Sequence, residues 1–271
     1  MTGGRTDFYT VKYASFGSDV AAELRREVFG EDIGQQGWRT AAEQAEIAEF
    51  LGIGKASHVL DVCCGSGGPS LALVQRTGCQ LIGIDREEAG IAHARAQASA
   101  RGIADRSTFE LVDCSRPLPF EDGSFDAVLC IDAVSHLPDR AGMLHDWARL
   151  LRNKGRIVFT DVAVITGEIG KDELDLRAAS GFFLFVPPGL NEQAVKTAGL
   201  TLLRCEDRTA AMAEIGARMC SARLRHAPAL QQEEGADGFQ KRQGLYAIAT
   251  ELAKSRRLSR FLYVAEKSSP P

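Results

Sequence analysis

Residues 59–68, Val-Leu-Asp-Val-Cys-Cys-Gly-Ser-Gly-Gly, constrain the fold more than any other stretch of the chain. An apolar run with the character of a buried strand delivers Asp61 and passes into a glycine-rich turn, and Pro69 stands where a helix would begin. Glycine at 65, 67 and 68 lets the backbone turn sharply and lie close to a ligand, because no Cβ intervenes. Proline suits the first helical position, where its missing N–H costs nothing. Strand, glycine turn and helix in that order form a nucleotide cradle, and the following acids bear on which nucleotide.

One helix length later, Gln80-Leu-Ile-Gly-Ile-Asp85 reads as a second buried strand ending in a carboxylate, the position from which dinucleotide folds bond a ribose diol. A third strand over 107–112 ends at Asp113, and a fourth over 125–131 ends at Asp132. Four strands with polar ends at one sheet edge place the ligand there. A nicotinamide dinucleotide is the natural competitor, but its G-x-G-x-x-G fingerprint, counted from Gly65, meets Ser70 at the sixth position.

This ordered set resembles the class I S-adenosylmethionine-dependent methyltransferases over residues 40–165. Residues 59–68 are similar to the family's first motif, 82–85 to its second, 111–114 to its third and 125–132 to its fourth; 150–160 resemble the helix-to-strand turn that follows. The resemblance implies an α/β fold: a Rossmann-like seven-stranded mixed sheet flanked by helices, with an N-terminal helical extension and an inserted lid. It divides the chain into an N-terminal cap (1–39), a cofactor-binding core (40–165), a lid insertion (166–198) and a C-terminal completion of the core sheet (199–271). S-adenosyl-L-methionine is the implied cofactor and S-adenosyl-L-homocysteine the product. Asp85 would take the ribose diol and Asp113 the adenine amino group, with the backbone N–H of Cys114 at the ring. Gly65 and Gly67 would allow close approach, Ile131 would join the cofactor wall, and Trp38 would stand at the mouth. Asp61 would orient the glycine loop and reach the methionine end through water, or cap the turn. Arg86 lies along the adenine or in solvent. One departure stands out: the family has glycine where this chain has Cys63, so the backbone there must tolerate a side chain.

The remaining signals place the other elements. Thr40 with Glu43 fits a capping box opening a helix to about Leu51. Residues 87–100 are alanine-rich and stop at Gly102. Asp139 caps a helix whose Met143, Leu144, Trp147, Leu150 and Leu151 share one face. Residues 156–160, 201–205 and 261–265 read as strands, with a helix including 210–225 between the last two and a polar surface loop at 231–238.

The chain has 271 residues, a net charge of −4 and a pI near 5.8, which gives no general drive toward nucleic acid or an anionic membrane. No apolar run approaches the roughly 20 residues that span a bilayer. The first seven residues lack a signal peptide's apolar core. The seven cysteines form no C-x-x-C pair, so no metal is expected, and packed thiols fit a reducing, cytoplasmic setting. Oligomeric state stays open, a homo-oligomer included.

For chemistry, His136 lies just beyond the fourth strand, and its ordinary pKa near working pH suits a base, or else a loop histidine bonded to backbone. Asp132 would hold a cationic amine or stabilise the loop. His145 reads as part of a solvated face. Tyr9, Tyr13, Phe182 and Phe185 in the two cap segments either touch the acceptor or pack the cap. Nucleic-acid amino-methyltransferases carry an Asn/Asp-Pro-Pro-aromatic tetrad after the fourth strand; this chain has Asp-Ala-Val-Ser there, which leaves a small-molecule acceptor. The segment 30–34, the loop 131–139 and residues 206–209 resemble enzymes that methylate amines such as glycine, sarcosine and phosphoethanolamine, so N-methylation is the expectation. Natural-product O- or C-methylation is the alternative, and a catalytically silent scaffold is the reading from another class.

Overall fold

The computed structural model describes residues 9, 12–13 and 15–268; the opening residues 1–7, expected to carry no signal peptide, lie outside them. Seven strands form one sheet in the order β3-β2-β1-β4-β5-β7-β6, where β1 is His58–Val62, β2 Gln80–Asp85, β3 Ser107–Leu111, β4 Phe125–Cys130, β5 Leu151–Ile165, β6 Leu200–Asp207 and β7 Leu258–Lys267. The first five pair in parallel, and β7 enters antiparallel between β5 and β6. The sheet is therefore mixed and Rossmann-like.

The parallel half follows from its connections. Helices α3 (Gly68–Thr77), α4 (Glu88–Ala100) and α5 (Arg140–Leu150) return the chain to the start of each new strand, and a strand–helix–strand crossover brings the carboxyl ends to one edge. Burial on both faces makes these strands near-continuous apolar runs. On one face Leu60, Val62, Ile84 and Val128 pack under Trp147 and Leu144 of α5. On the other, Val59, Leu81 and Leu129 meet Leu71 and Val74 of α3 and Ile47 of α2 (Ala41–Leu51). Thr40 accepts from the Glu43 N–H at 3.2 Å and Gly52 closes α2 at φ +64, so cap and stop fall where the sequence places them.

A third apolar cluster roofs the functional edge. Leu24 and Val28 of α1 (Asp19–Phe29) pack with Trp38, with Met212, Ile215 and Met219 of α8 (Thr209–Arg225), and with Ala249 of α10 (Ala236–Lys254). A short α6 (Lys171–Arg177) and α7 (Leu190–Thr197) follow β5.

Two expectations change. Leu151 begins β5 rather than ending α5, and Lys154 at φ +63 with Gly155 absorbs the register break against β4. Residues 231–238 lie at the surface as expected, but they are helical rather than a loop. Helix α9 (Ala227–Glu234) runs through Gln231, and α10 starts at Ala236. Of its acids Glu233 and Asp237 are exposed, whereas the Glu234 side chain is 2 % exposed and pairs with Arg223 and Arg242 at 2.9 and 2.8 Å.

Candidate active site

The carboxyl ends of β1, β2 and β4, the glycine turn and the cap enclose a cavity of about 300 Å³. Its cofactor half is built from the first two motifs. Gly65 takes φ +60 and Gly67 φ +73, the left-handed region glycine enters without steric cost. Asp85 lines the cavity at 6 % exposure; its carboxylate accepts the Gly65 N–H at 2.9 Å and the Glu87 N–H at 3.0 Å. Burial raises its pKa, and the N–H groups of Glu87 and Gly65 oppose that rise. Two N–H bonds leave carboxylate lone pairs for a diol.

Gly67 does not line the cavity. A Cβ there would lie 2.6 Å from the Ala94 Cβ and 2.9 Å from the Phe109 ring, so this glycine lets the turn pack onto α4 and β3. Gly67→Ala combines a left-handed alanine with an overpacked contact and is expected to destabilise the fold by about 3 kcal/mol, read as a lower urea midpoint at unchanged slope.

Asp61 also lies off the cavity wall, beneath the turn, where it accepts the Ser70 hydroxyl at 2.5 Å. Burial pushes it up to about 6 against the pull of Arg39 and the Ser70 bond. Its observed role is to hold the first turn of α3. Cys63, the residue at the family's glycine, takes φ +60 and lines the cavity with its side chain against the β4-side core. Asp113 lines the mouth and accepts from the Ser115 N–H at 3.0 Å and its hydroxyl at 2.6 Å; those bonds hold its pKa low. Cys114, Ile131 and Arg86 line the same half, Arg86 in an exposed pair with Glu87 at 3.4 Å. Trp38 stands at the wall, 5 % exposed, its indole edge-on to Tyr246. Arg39 is a wall residue the sequence did not mark; it is buried, bonds Gln44 at 2.9 Å, and supplies a cation near Asp61.

Asp132 is not an amine holder in this structure. Its Oδ1 pairs with the Arg260 guanidinium at 2.7 Å and accepts from the Thr160 hydroxyl at 2.8 Å, while its Oδ2 accepts the Trp38 N–H at 2.7 Å. Burial pushes its pKa up, and Arg260 with the Trp38 and Thr160 bonds outweighs that and holds it low. Arg260 in turn forks onto Glu43 at 2.9 and 2.6 Å. The network fixes Asp132 at φ +58 and ties the segment before α2 to the sheet edge. Asp132 therefore lines the cavity with both carboxylate oxygens engaged by protein partners, an arrangement closer to the loop-stabilising reading than to the amine-holding one.

The acceptor half is formed by Tyr9, His136, Arg177, Ser180, Phe182, Phe183 and Tyr246, among others. His136 ends a 3-10 turn (Val134–His136). Its Nδ1 lies 2.9 Å from the Phe182 carbonyl, which can only accept, so Nδ1 carries a proton, and in the neutral ring Nε2 is the acceptor, 2.9 Å from the Tyr9 hydroxyl. Tyr13, expected on this side, sits over the glycine turn instead: a Cβ on Gly65 would be 2.8 Å from its hydroxyl, and burial with the nearby Asp85 raises its pKa. Phe185 does not line the cavity; it stacks behind Phe183 at 5.8 Å. Lys12, unmarked by any motif, lines the cavity too, and burial and Arg242 bring its ammonium down to about 7 against the pull of Asp132 and Asp85.

A glycine cradle on a strand–helix turn, an inward carboxylate on the next strand and a mixed seven-stranded sheet define an enzyme of the class that binds a nucleoside cofactor at the sheet edge. A family described as a methyltransferase domain matches residues 59–155. Methyltransferase GfsG of Streptomyces halstedii is 30 % identical over 206 residues, 70 % of this chain and 73 % of that protein. The 27-O-demethylrifamycin SV methyltransferase of Amycolatopsis mediterranei is 28 % identical over 57 % of this chain, which spans 60 % of that relative's length. Phosphoethanolamine N-methyltransferase 2 of Haemonchus contortus, solved with S-adenosyl-L-methionine, shares the fold with a TM-score of 0.80 at 17 % identity, over 97 % of this chain and 60 % of that one. The chain belongs to the class I S-adenosylmethionine-dependent methyltransferases, and it is a small-molecule methyltransferase of that family. The residues present fit the cofactor: Asp85 would take the ribose, and Arg39 would supply a cation for the methionine carboxylate. No helix among the described residues is long and apolar enough to cross a membrane.

Proposed function

We propose that this enzyme methylates a hydroxyl oxygen of a small molecule, with His136 and Tyr9 taking the proton. The observation that carries the reading is the His136 geometry: the Phe182 carbonyl fixes the proton on Nδ1 and leaves Nε2 as the base, bridged at 2.9 Å to the Tyr9 hydroxyl. A hydroxyl is a poor nucleophile until its proton leaves. In the proposed path that proton passes to the Tyr9 oxygen as Tyr9 gives its own to Nε2, and the chain ends with a protonated imidazole. The bound cofactor supplies the electrophilic methyl group; the protein's part is to line up the acceptor and keep water out.

Amine transfer, expected from the sequence, finds less support. The carboxylates lining the cavity are Asp85, Glu87, Asp113 and Asp132. The first three belong to the cofactor half, and Asp132 is committed to Arg260. A relative named for a 27-O-demethyl substrate agrees with oxygen as acceptor. Transfer by the purified enzyme to paired phenols, aliphatic alcohols and amines, followed by mass spectrometry, tests the class. His136→Gln is expected to lower kcat about a hundredfold at unchanged S-adenosylhomocysteine affinity and to remove the acidic limb of the kcat profile. Transfer confined to amines, or unchanged kcat in the variant, returns the acceptor to an amine.

A further inference from the structure

Among the described residues five arginines are buried to 9 % exposure or less: Arg39, Arg140, Arg177, Arg223 and Arg260. Four have a polar partner. Arg39 bonds Gln44, Arg140 pairs with Asp161 and Asn191, Arg223 with Glu234, and Arg260 with Glu43 and Asp132. Arg177 is the exception. At 2 % exposure it has no hydrogen-bond or carboxylate partner among the described residues; its Nε is unsatisfied, and its guanidinium lies 4.3 Å over the Phe183 ring. The ring positions the guanidinium without neutralising it.

Ser180, three residues further on and 3 % exposed, also lines the cavity, and no bond to its hydroxyl is formed by the described residues. A buried cation is costly unless a partner arrives, and the Ser180 side chain lines the cavity beside it. From this pairing we infer that Arg177 and Ser180 form an anion subsite in the acceptor half, and that the acceptor is a hydroxyl compound bearing a carboxylate or phosphate group. This rests on the hydroxyl-acceptor reading above. The guanidinium offers two parallel donors to such a group and the serine a third. Burial lowers the guanidinium only to about 10, so it stays charged at neutral pH. No lining carboxylate on this side is uncommitted.

The test uses the full-length enzyme saturated with S-adenosylhomocysteine and labelled with 15N-arginine, titrated with acetate, inorganic phosphate and neutral acetamide. The Arg177 Nε resonance, assigned by its absence in Arg177→Lys, is expected to shift saturably with at least one anion and not with acetamide. The anion that binds separates a carboxylate from a phosphate. Ser180→Ala is expected to weaken that anion about fivefold, and Arg177→Met at least about tenfold, by calorimetry. No saturable shift with either anion, an equal shift with acetamide, or wild-type anion affinity in Ser180→Ala overturns the subsite. Anion binding needs no methyl transfer, so a failure of the hydroxyl reading shows separately, as unchanged kcat in His136→Gln.

Discussion

Asp85→Ala is expected to weaken S-adenosylhomocysteine binding about a thousandfold. The wild-type carboxylate is buried, lines the cavity, and is held by the Gly65 and Glu87 N–H groups. Hydrogen bonds to a charged group contribute about 1.5–3 kcal/mol each, so loss of the pair a ribose diol would make accounts for roughly three orders of magnitude. Alanine also leaves two N–H donors without a partner and loosens the turn that carries Gly65. Asp85→Asn should fail nearly as badly, because its amide N–H₂ would face a backbone donor. Calorimetry decides the matter, and affinity within tenfold of wild type in the alanine variant would remove Asp85 from the cofactor site. The pH dependence has a definite sign. Burial raises this carboxyl above its unfolded value of 3.8, so the folded protein loses stability as pH rises through that interval, while cofactor binding, which needs the ionised form, strengthens over it.

The largest stability effect is expected at Arg260. Arg260→Met would leave Glu43, at 6 % exposure, and Asp132 buried without their shared cation. Removing one partner of a buried ion pair costs about 3–5 kcal/mol, which for a chain of this size lowers the melting temperature by roughly 10 °C. The pH behaviour should invert. In the wild type Asp132 is held below its unfolded pKa of 3.8, so its contribution is complete above about pH 4 and lost as pH falls through the folded value. Without Arg260 burial dominates, Asp132 titrates higher, and the variant should be more stable near pH 4 than at pH 7. Denaturation at both pH values checks this; an unchanged acid limb would show that the network contributes nothing.

The legible part of the site was the part written locally. Asp85, Asp113, Gly65 and Cys114 are recognisable because a strand, its terminal acid and the next turn are contiguous, and the parallel crossover sets their edge. Residues whose role depends on a distant partner gave no such signal. Arg260 reaches Asp132 across 128 positions and Glu43 across 217. Asp132 could be read as catalytic only while its partner was unknown. Of the acids of 231–238 only Glu234 departs from the solvent reading, since a sequence does not show Arg223 and Arg242 closing on it. Arg177 and Ser180 carry no motif; what marks them is missing partners, and that is visible only in three dimensions.

Strand β7 is made after the other six, yet it lies inside the sheet between β5 and β6 and carries Arg260. During synthesis the nascent chain therefore holds the whole glycine turn and every carboxylate of the cofactor half long before it can assemble them, because β6 has no partner strand and Glu43 and Asp132 have no cation. A polypeptide that stops short of residue 258 keeps the family's motifs but leaves β6 without its neighbour and Glu43 and Asp132 without their shared cation.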